Sequence, residues 1–278
     1  MYRKWRTAKK FLLYFTVVIT MLFVTFPFIW MVLTSIKPVE TIFDMPPEIF
    51  PRHPTLAHYQ RLFQVTRFFT YFKNSLIVTL SVVAVTILMS TLGAYSVTRF
   101  RYRGRRAIAY SSLFTYMFPP ILLAIPLFVI MSRLRLSNTY YGLTIALLTR
   151  TLPFCLWLLW GFFKSIPLEL EEAAMIDGAS RLRAFWNVVL PLALPGISAA
   201  ATFAFILAWN NYTYAFILMP SEEMKVLTVG IARFAAVKGI EWGLIMSSTF
   251  IFVIPALLFL ALVQRTLIKG WGAGGVKG

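Results

Sequence analysis

The sequence is poor in charged side chains, which make up 13% of its 278 residues. That is about half the usual share of a soluble domain. Because 59% of the residues are hydrophobic and the mean hydropathy is +0.75, the composition indicates an integral membrane protein. One cysteine, Cys155, and two histidines, His53 and His58, provide neither a disulfide framework nor a metal cluster.

The charge that is present is mostly positive, and the formal net charge is +17. Nucleic-acid binding is not expected, because the basic residues lie in short loops between apolar runs and form no continuous stripe. Five arginines fall within residues 99–106 alone. Since cytoplasmic loops of membrane proteins carry an excess of Lys and Arg, topology explains the charge better.

Uncharged runs long enough for a membrane helix, about 20 residues, predict six spans. They lie at residues 11–35, 74–98, 107–132, 136–163, 184–221 and 242–264, the fourth interrupted only by Arg150. The first run is too long for a signal peptide and is interpreted as a retained span. We therefore predict an all-α, polytopic membrane protein with six transmembrane helices and both termini in the cytoplasm.

The domain prediction is a cytoplasmic N-tail at 1–10, one transmembrane domain at 11–264 and a cytoplasmic C-tail at 265–278. The transmembrane domain includes an outer loop at 36–73, in which residues 55–72 are expected to form a short amphipathic helix on the membrane surface. In the third span, Pro119, Pro120 and Pro126 predict a kink.

The cytoplasmic loop at 164–191, hereafter the coupling loop, combines charges with an Asp-Gly break in an apolar chain. Ser165 is expected to cap a helix, with Pro167 at a first helical position. Gly178 would then permit a turn, and Ser180 would cap a second short helix. The loop is predicted to form a helix–turn–helix; the alternative is a solvated amphipathic connector.

The coupling loop carries a spaced motif. It consists of Glu172-Ala173-Ala174, three residues, Gly178, nine residues, and Val188-Val189-Leu190-Pro191. This pattern resembles the EAA loop of ABC importer membrane subunits, with Val188 where that motif has isoleucine. Further segments are similar to maltose-type carbohydrate ABC permeases, in particular the six-span partner of the heterodimeric pair. They lie at 26–38, 55–59, 152–167, 209–212 and 272–278.

The resemblance implies an ABC type I importer-like fold in the cell inner (plasma) membrane. The expected partners are a second homologous permease, two cytoplasmic ATPase subunits, an external solute-binding protein, the lipid bilayer and a sugar. The EAA loop would dock as a coupling helix on an ATPase subunit. The residues expected to serve this coupling are Glu172, Ala173, Ala174, Asp177 and Gly178.

The chain itself is not expected to be an enzyme or to bind a cofactor. Its glycine-rich stretch at 270–278 holds Lys277, but no Ser or Thr follows the lysine and no helix follows the stretch, so it does not match a phosphate loop. ATP and magnesium are therefore expected in the partner ATPase. The tail either reaches the ATPase pair, as the resemblance implies, or is simply flexible.

Polar residues in the spans point to a substrate path. Trp209, Asn210, Asn211 and Tyr212 combine amides with aromatic faces, a combination that suits a sugar; the alternative is helix packing with an interfacial aromatic belt. Arg150 either contacts cargo or extends outward to the interface. The expected function is import of a di- or oligosaccharide. The alternatives are a polyol or glycerol-phosphate importer and, in another class, a stand-alone channel.

Overall fold

The computed structural model describes residues 2–236 and 241–274, and the chain forms helices and no strands within these ranges. The all-α prediction is confirmed. The α-helices, numbered α1–α12 in chain order, are Tyr2–Ser35, Ala57–Val65, Phe68–Arg99, Arg105–Tyr116, Pro120–Arg133, Tyr140–Ser165, Leu168–Ile176, Arg181–Ala184, Leu190–Trp209, Thr213–Leu218, Leu227–Ala236 and Trp242–Gly274. A 3-10 turn, Val39–Thr41, follows α1, and a π-helical turn, Phe185–Val189, joins α8 to α9.

The membrane-spanning helices agree with the predicted spans. Five helical segments of the described ranges are long and apolar enough to cross a bilayer. They are Lys9–Ser35, Phe68–Arg99, Tyr140–Ser165, Arg181–Trp209 and Trp242–Gln264. The bent pair of α4 and α5 makes six when it is counted as one span.

The third span is broken rather than gently kinked, since α4 and α5 meet at 103°. Pro119 is extended, with ψ at 131°, and Pro120 stands at the first turn of α5. A residue before proline avoids helical angles, and proline itself has no amide to donate to the preceding turn. The prolines that predicted a kink therefore end one helix and start another.

By residue contacts, the chain divides into two compact units. The first contains Met1–Phe68 and Ile231–Val253. In it, α2 confirms a helix in the predicted stretch at 55–72 but is shorter, because Thr66 is extended and its hydroxyl accepts the Phe68 amide at 3.3 Å. His58 lies against Gly243, where a Cβ would come within 2.0 Å of the imidazole.

The second unit contains Phe69–Gly230 and Ile254–Gly278. Its α6 packs against α4 and α9. A Cβ at Gly196 of α9 would lie 2.4 Å from the Phe162 ring of α6, and one at Gly93 of α3 would lie 2.8 Å from Leu156. Small residues therefore allow these helices to approach closely, as is usual where lipid gives no hydrophobic driving force between helices.

In the same unit, the loop at 219–226 is fixed by the buried side chain of Asn74. The Asn74 amide nitrogen donates to the carbonyls of Glu223 and Lys225, both at 2.8 Å. Its amide oxygen accepts from the Tyr140 hydroxyl at 2.7 Å. Asn74 thus connects α3, α6 and the loop. Both polar atoms of its side chain have hydrogen-bond partners, as a position that is 1% exposed requires.

Candidate functional site

The first arm of the coupling loop is α7, Leu168–Ile176. Glu169 and Glu171 lie in its first turn, where carboxylates oppose the helix dipole. The predicted N-cap is wrong by two residues. Ser165 is still the last residue of α6, its hydroxyl bonded to the Phe162 carbonyl at 2.7 Å, and Pro167 is the N-cap rather than a helical residue. Proline suits this extended position because it fixes φ.

The turn after α7 is made by Gly178, as predicted. Its φ is +89°, its amide donates to the Met175 carbonyl at 3.1 Å, and the Ala179 amide donates to the Ala174 carbonyl at 3.0 Å. This is the pattern of a Schellman C-cap, which favours glycine in the left-handed position. A Cβ there would meet no atom within 4 Å, so the need for glycine is conformational and not steric.

The second arm differs from the prediction of a separate short helix. Ser180 does cap α8, accepting the Arg183 amide at 3.3 Å. However, α8 continues through the π turn into α9, so Arg181–Trp209 is one helical segment. Pro191 explains the wide turn, because its ring would clash with the carbonyl four residues earlier in a regular α-helix. The second arm is therefore the cytoplasmic end of the fifth span.

A buried ion pair holds α7 to the rest of the unit. Arg99 Nε at the end of α3 lies 2.9 Å from Glu171 Oε2, with side chains 6% and 2% exposed. The Tyr95 hydroxyl donates to the same carboxylate at 2.5 Å. Arg99 also donates to the Ile166 carbonyl at 3.0 Å, so one guanidinium joins the ends of α3 and α6 to α7.

Aromatic packing surrounds this ion pair. The Tyr95 ring makes edge contacts with Phe185 of the π turn at 4.7 Å and with Phe163 of α6 at 6.3 Å between centroids. Such pairs stabilise beyond the area they bury. Sequence reasoning missed both Glu171 and Arg99. No local signal separates Glu171 from its neighbours Glu169 and Glu172, and Arg99 stands 72 residues away.

The residues predicted to serve coupling lie together on the loop surface. Glu172, Ala173, Asp177 and Gly178 are exposed and Ala174 is half-buried. Sequence reasoning did not single out the large apolar side chains beside them. Ile176, Leu182 and Trp186 are 86%, 67% and 57% exposed. Ile176 ends α7, outside the spans, and Leu182 and Trp186 stand at the cytoplasmic end of the fifth span. A cluster of exposed apolar groups of this kind is typical of a protein-binding surface.

The residues predicted to line the substrate path differ in burial. Trp209 is 2% exposed and stacks on Phe205 at 5.7 Å. Asn211 is buried, and its side-chain oxygen accepts the Ala215 amide at 3.2 Å, which secures the break between α9 and α10. The other three are accessible.

Among the accessible residues, Asn210 bonds back to the Ile206 carbonyl at 3.0 Å, and Tyr212 is 42% exposed. Arg150 is half-buried on α6, and no acidic side chain within the described ranges forms an ion pair with it. The path assignment stays a prediction for all five residues. No group of three His, Cys, Asp or Glu suited to a metal occurs in the described part of the chain.

Residues 87–271 match the family model described as the binding-protein-dependent transport system inner membrane component. This range contains the coupling loop, the Arg99–Glu171 pair and the break at 210–212. The chain belongs to this family. It is therefore a multi-pass component of a binding-protein-dependent transporter in the cell inner membrane, and a transport component of this kind is not itself an enzyme.

Individual members of the family are similar to this permease over nearly their whole length. The inner membrane ABC transporter permease protein YcjP of Escherichia coli K12 is 35% identical over 275 residues, 98% of each chain. The trehalose/maltose transport system permease protein MalG of Thermococcus litoralis is 35% identical over 273 residues, 97% of this chain and 98% of its own.

A solved structure agrees with the fold. It is a chain of a bacterial ABC transporter involved in the import of the acidic polysaccharide alginate, with a TM-score of 0.79 and 25% identity. The match covers 94% of this permease and 97% of that chain. The ABC type I importer-like fold that the EAA loop implied is thus confirmed.

Proposed function

We propose that this permease imports a di- or oligosaccharide. The full assembly would contain a second homologous permease, two cytoplasmic ATPase subunits and an external solute-binding protein. Supporting the cargo class are the similar proteins named for trehalose and maltose transport and for alginate import. A sugar also suits the accessible polar groups of Asn210 and Tyr212, because amides and phenols bond to hydroxyls and aromatic rings pack on sugar faces.

The observation that carries the proposal of ATP-driven import is the anchored coupling loop. Its outer surface offers Glu172, Asp177 and exposed apolar side chains to a partner, while its inner side is fixed to α3 by the buried Arg99–Glu171 pair. A displacement imposed on α7 by an ATPase subunit would therefore act on α3 through the ion pair. It would act on the fifth span through α8, since the two are one helical segment.

The test places a bulky side chain on the docking surface. Ala173→Trp should leave the fold intact, because Ala173 is exposed. It should nevertheless reduce co-purification of the ATPase subunits at least ten-fold and abolish sugar-stimulated ATP hydrolysis. The matched control is Ala57→Trp, another exposed alanine at the start of α2 on the predicted outer face, which should retain the ATPase. Normal ATPase retention in Ala173→Trp would reject the docking assignment.

A second cargo class is a polyol or a glycerol phosphate. Arg150 favours the glycerol phosphate, because a half-buried guanidinium without an acidic partner in the described ranges is suited to a phosphate. Measuring ATP hydrolysis with a matched binding protein and each solute separates the classes. If Arg150→Gln lowers stimulation by glycerol phosphate and leaves stimulation by a neutral sugar unchanged, glycerol phosphate is supported as the cargo.

A further inference from the structure

A cavity of about 270 Å³ opens between α3, α4 and α6 at the end of the unit predicted to face the cytoplasm. We call it the basic pocket. The residues that line it are Val97, Thr98, Arg105, Arg106, Tyr110, Trp160 and Lys164. None of these residues belongs to α7, the helix proposed to dock the ATPase.

Three cationic side chains and no acidic one are among the residues that line the basic pocket. Neither Arg106 nor Lys164 has a hydrogen-bond or ion-pair partner among the described residues. Arg105 gives one donor to the Phe100 carbonyl at 2.8 Å, which leaves its other donors for a ligand. The α4 N-terminus adds to the field, because its N-cap Gly104 has no side chain to accept the first amides.

An apolar cavity of about 520 Å³ adjoins the basic pocket. Its own walls include Trp157, Leu158, Gly161 and Phe162, and it shares Tyr110, Trp160 and Lys164 with the basic pocket. Tyr110 and Trp160 form the common wall, in edge-to-face contact at 5.4 Å between centroids. Such aromatic side chains favour the membrane–water interface.

The two cavities together match an amphiphile better than a small anion. A free phosphate would need only the three cations and would leave the aromatic cavity without a role. A lipid with an anionic headgroup satisfies both, because its phosphate binds Arg and Lys and its chains pack on the aromatic walls. Anionic lipids are also concentrated in the cytoplasmic leaflet, where basic pockets between spans recognise their headgroups.

We propose that the basic pocket and the adjoining apolar cavity bind one anionic glycerophospholipid of the inner leaflet. Arg105, Arg106 and Lys164 hold the phosphate, and the cavity around Gly161 takes the proximal part of an acyl chain. This inference goes beyond sugar import: it assigns a lipid site to side chains that are neither among the residues expected to serve coupling nor among those predicted to contact cargo.

The first experiment compares matched charge removals in the full chain, purified in detergent with the subunits that accompany it. Native mass spectrometry counts bound phosphatidylglycerol and phosphatidylcholine when both are added in equal amounts. The double variant Arg106→Gln/Lys164→Gln should lose phosphatidylglycerol affinity about five-fold per removed charge. The control pair Arg101→Gln/Arg103→Gln removes the same charge from exposed positions of the same region and should change the affinity less than two-fold.

The second experiment fills the apolar cavity. Gly161→Leu should fold, because a Cβ at Gly161 meets no atom within 4 Å, and it should reduce retained phosphatidylglycerol at least three-fold with all three cations present. Excess inorganic phosphate should compete weakly. The proposal would be overturned if the two double variants lost the same amount of phosphatidylglycerol affinity, or if Gly161→Leu bound the lipid as well as the wild type. It would also be overturned if inorganic phosphate displaced the lipid fully, or if the wild type retained both lipids equally. Melting temperatures of all variants check folding, and the single variants Arg106→Gln and Lys164→Gln replace the pair if it is unstable.

Discussion

The Arg99–Glu171 pair makes a strong prediction about stability, and Glu171→Gln is the perturbation that tests it. The substitution keeps the size of the side chain and a hydrogen bond to Tyr95, but it leaves the Arg99 charge unpaired at a position 6% exposed. Removing one member of a buried ion pair costs about 3–5 kcal/mol. Because Arg99 retains its bond to the Ile166 carbonyl, we expect the lower end of that range.

Thermal unfolding in detergent measures this cost. A loss of about 3 kcal/mol corresponds to a melting temperature about 6–12 °C lower for a chain of this size. Glu169→Gln is the matched control, since Glu169 lies in the same first turn but is exposed, and it should change the melting temperature by less than about 2 °C, as is usual for an exposed charge.

The refuting result comes from a double-variant cycle. Arg99→Gln/Glu171→Gln removes both charges, so the double variant should be less destabilised than the sum of the two single variants by at least about 1.5 kcal/mol. Additive effects would show that the two side chains do not interact energetically. If the pair transmits motion as proposed, sugar-stimulated ATP hydrolysis should also fall in each single variant and recover in part in the double variant.

Two further predictions concern single positions. Gly178→Val should destabilise the coupling loop by about 1–2 kcal/mol, because a β-branched residue disfavours positive φ. Gly178→Asn should be close to wild type, because asparagine tolerates positive φ. Limited proteolysis of the loop compares the two variants, and equal cleavage rates would show that backbone conformation is not the reason for glycine. Asn74→Ala removes three hydrogen bonds and should cost about 2–3 kcal/mol. Thermal unfolding in detergent measures this loss, and Asn210→Ala, at an exposed site, should leave the melting temperature unchanged.

The fold was predictable from the sequence because spans are set by local composition. Long uncharged runs give helices in lipid whatever the rest of the chain does, and the turn glycine at 178 and the cap at Ser180 are equally local signals. The break at Pro119–Pro120 was anticipated as a kink, but its angle of 103° depends on how α4 and α5 pack, and no local pattern specifies that.

The candidate site was predictable only on its exposed side. Spacing marked Glu172, Ala173 and Gly178. By contrast, Glu171 and Arg99 are far apart in the sequence, and only the folded chain brings their side chains to 2.9 Å. Likewise, Trp209 and Asn211 are buried, whereas their neighbours Asn210 and Tyr212 are exposed. Helical position along a broken segment cannot be deduced from residue type, so the sequence grouped four residues that the fold separates into two buried and two exposed.

The π turn at Phe185–Val189 has a consequence for how the fifth span is aligned with related chains. An α-helix rotates by about 100° per residue, and a π turn accommodates one extra residue without breaking the rod. The faces on which side chains lie therefore cannot be counted through Val189 at one constant angle per residue. A relative with one residue fewer in this turn would keep every lipid-facing and core-facing position of α9, with the gap absorbed at the turn, whereas the same deletion after Ala193 would rotate all that follows away from its neighbours.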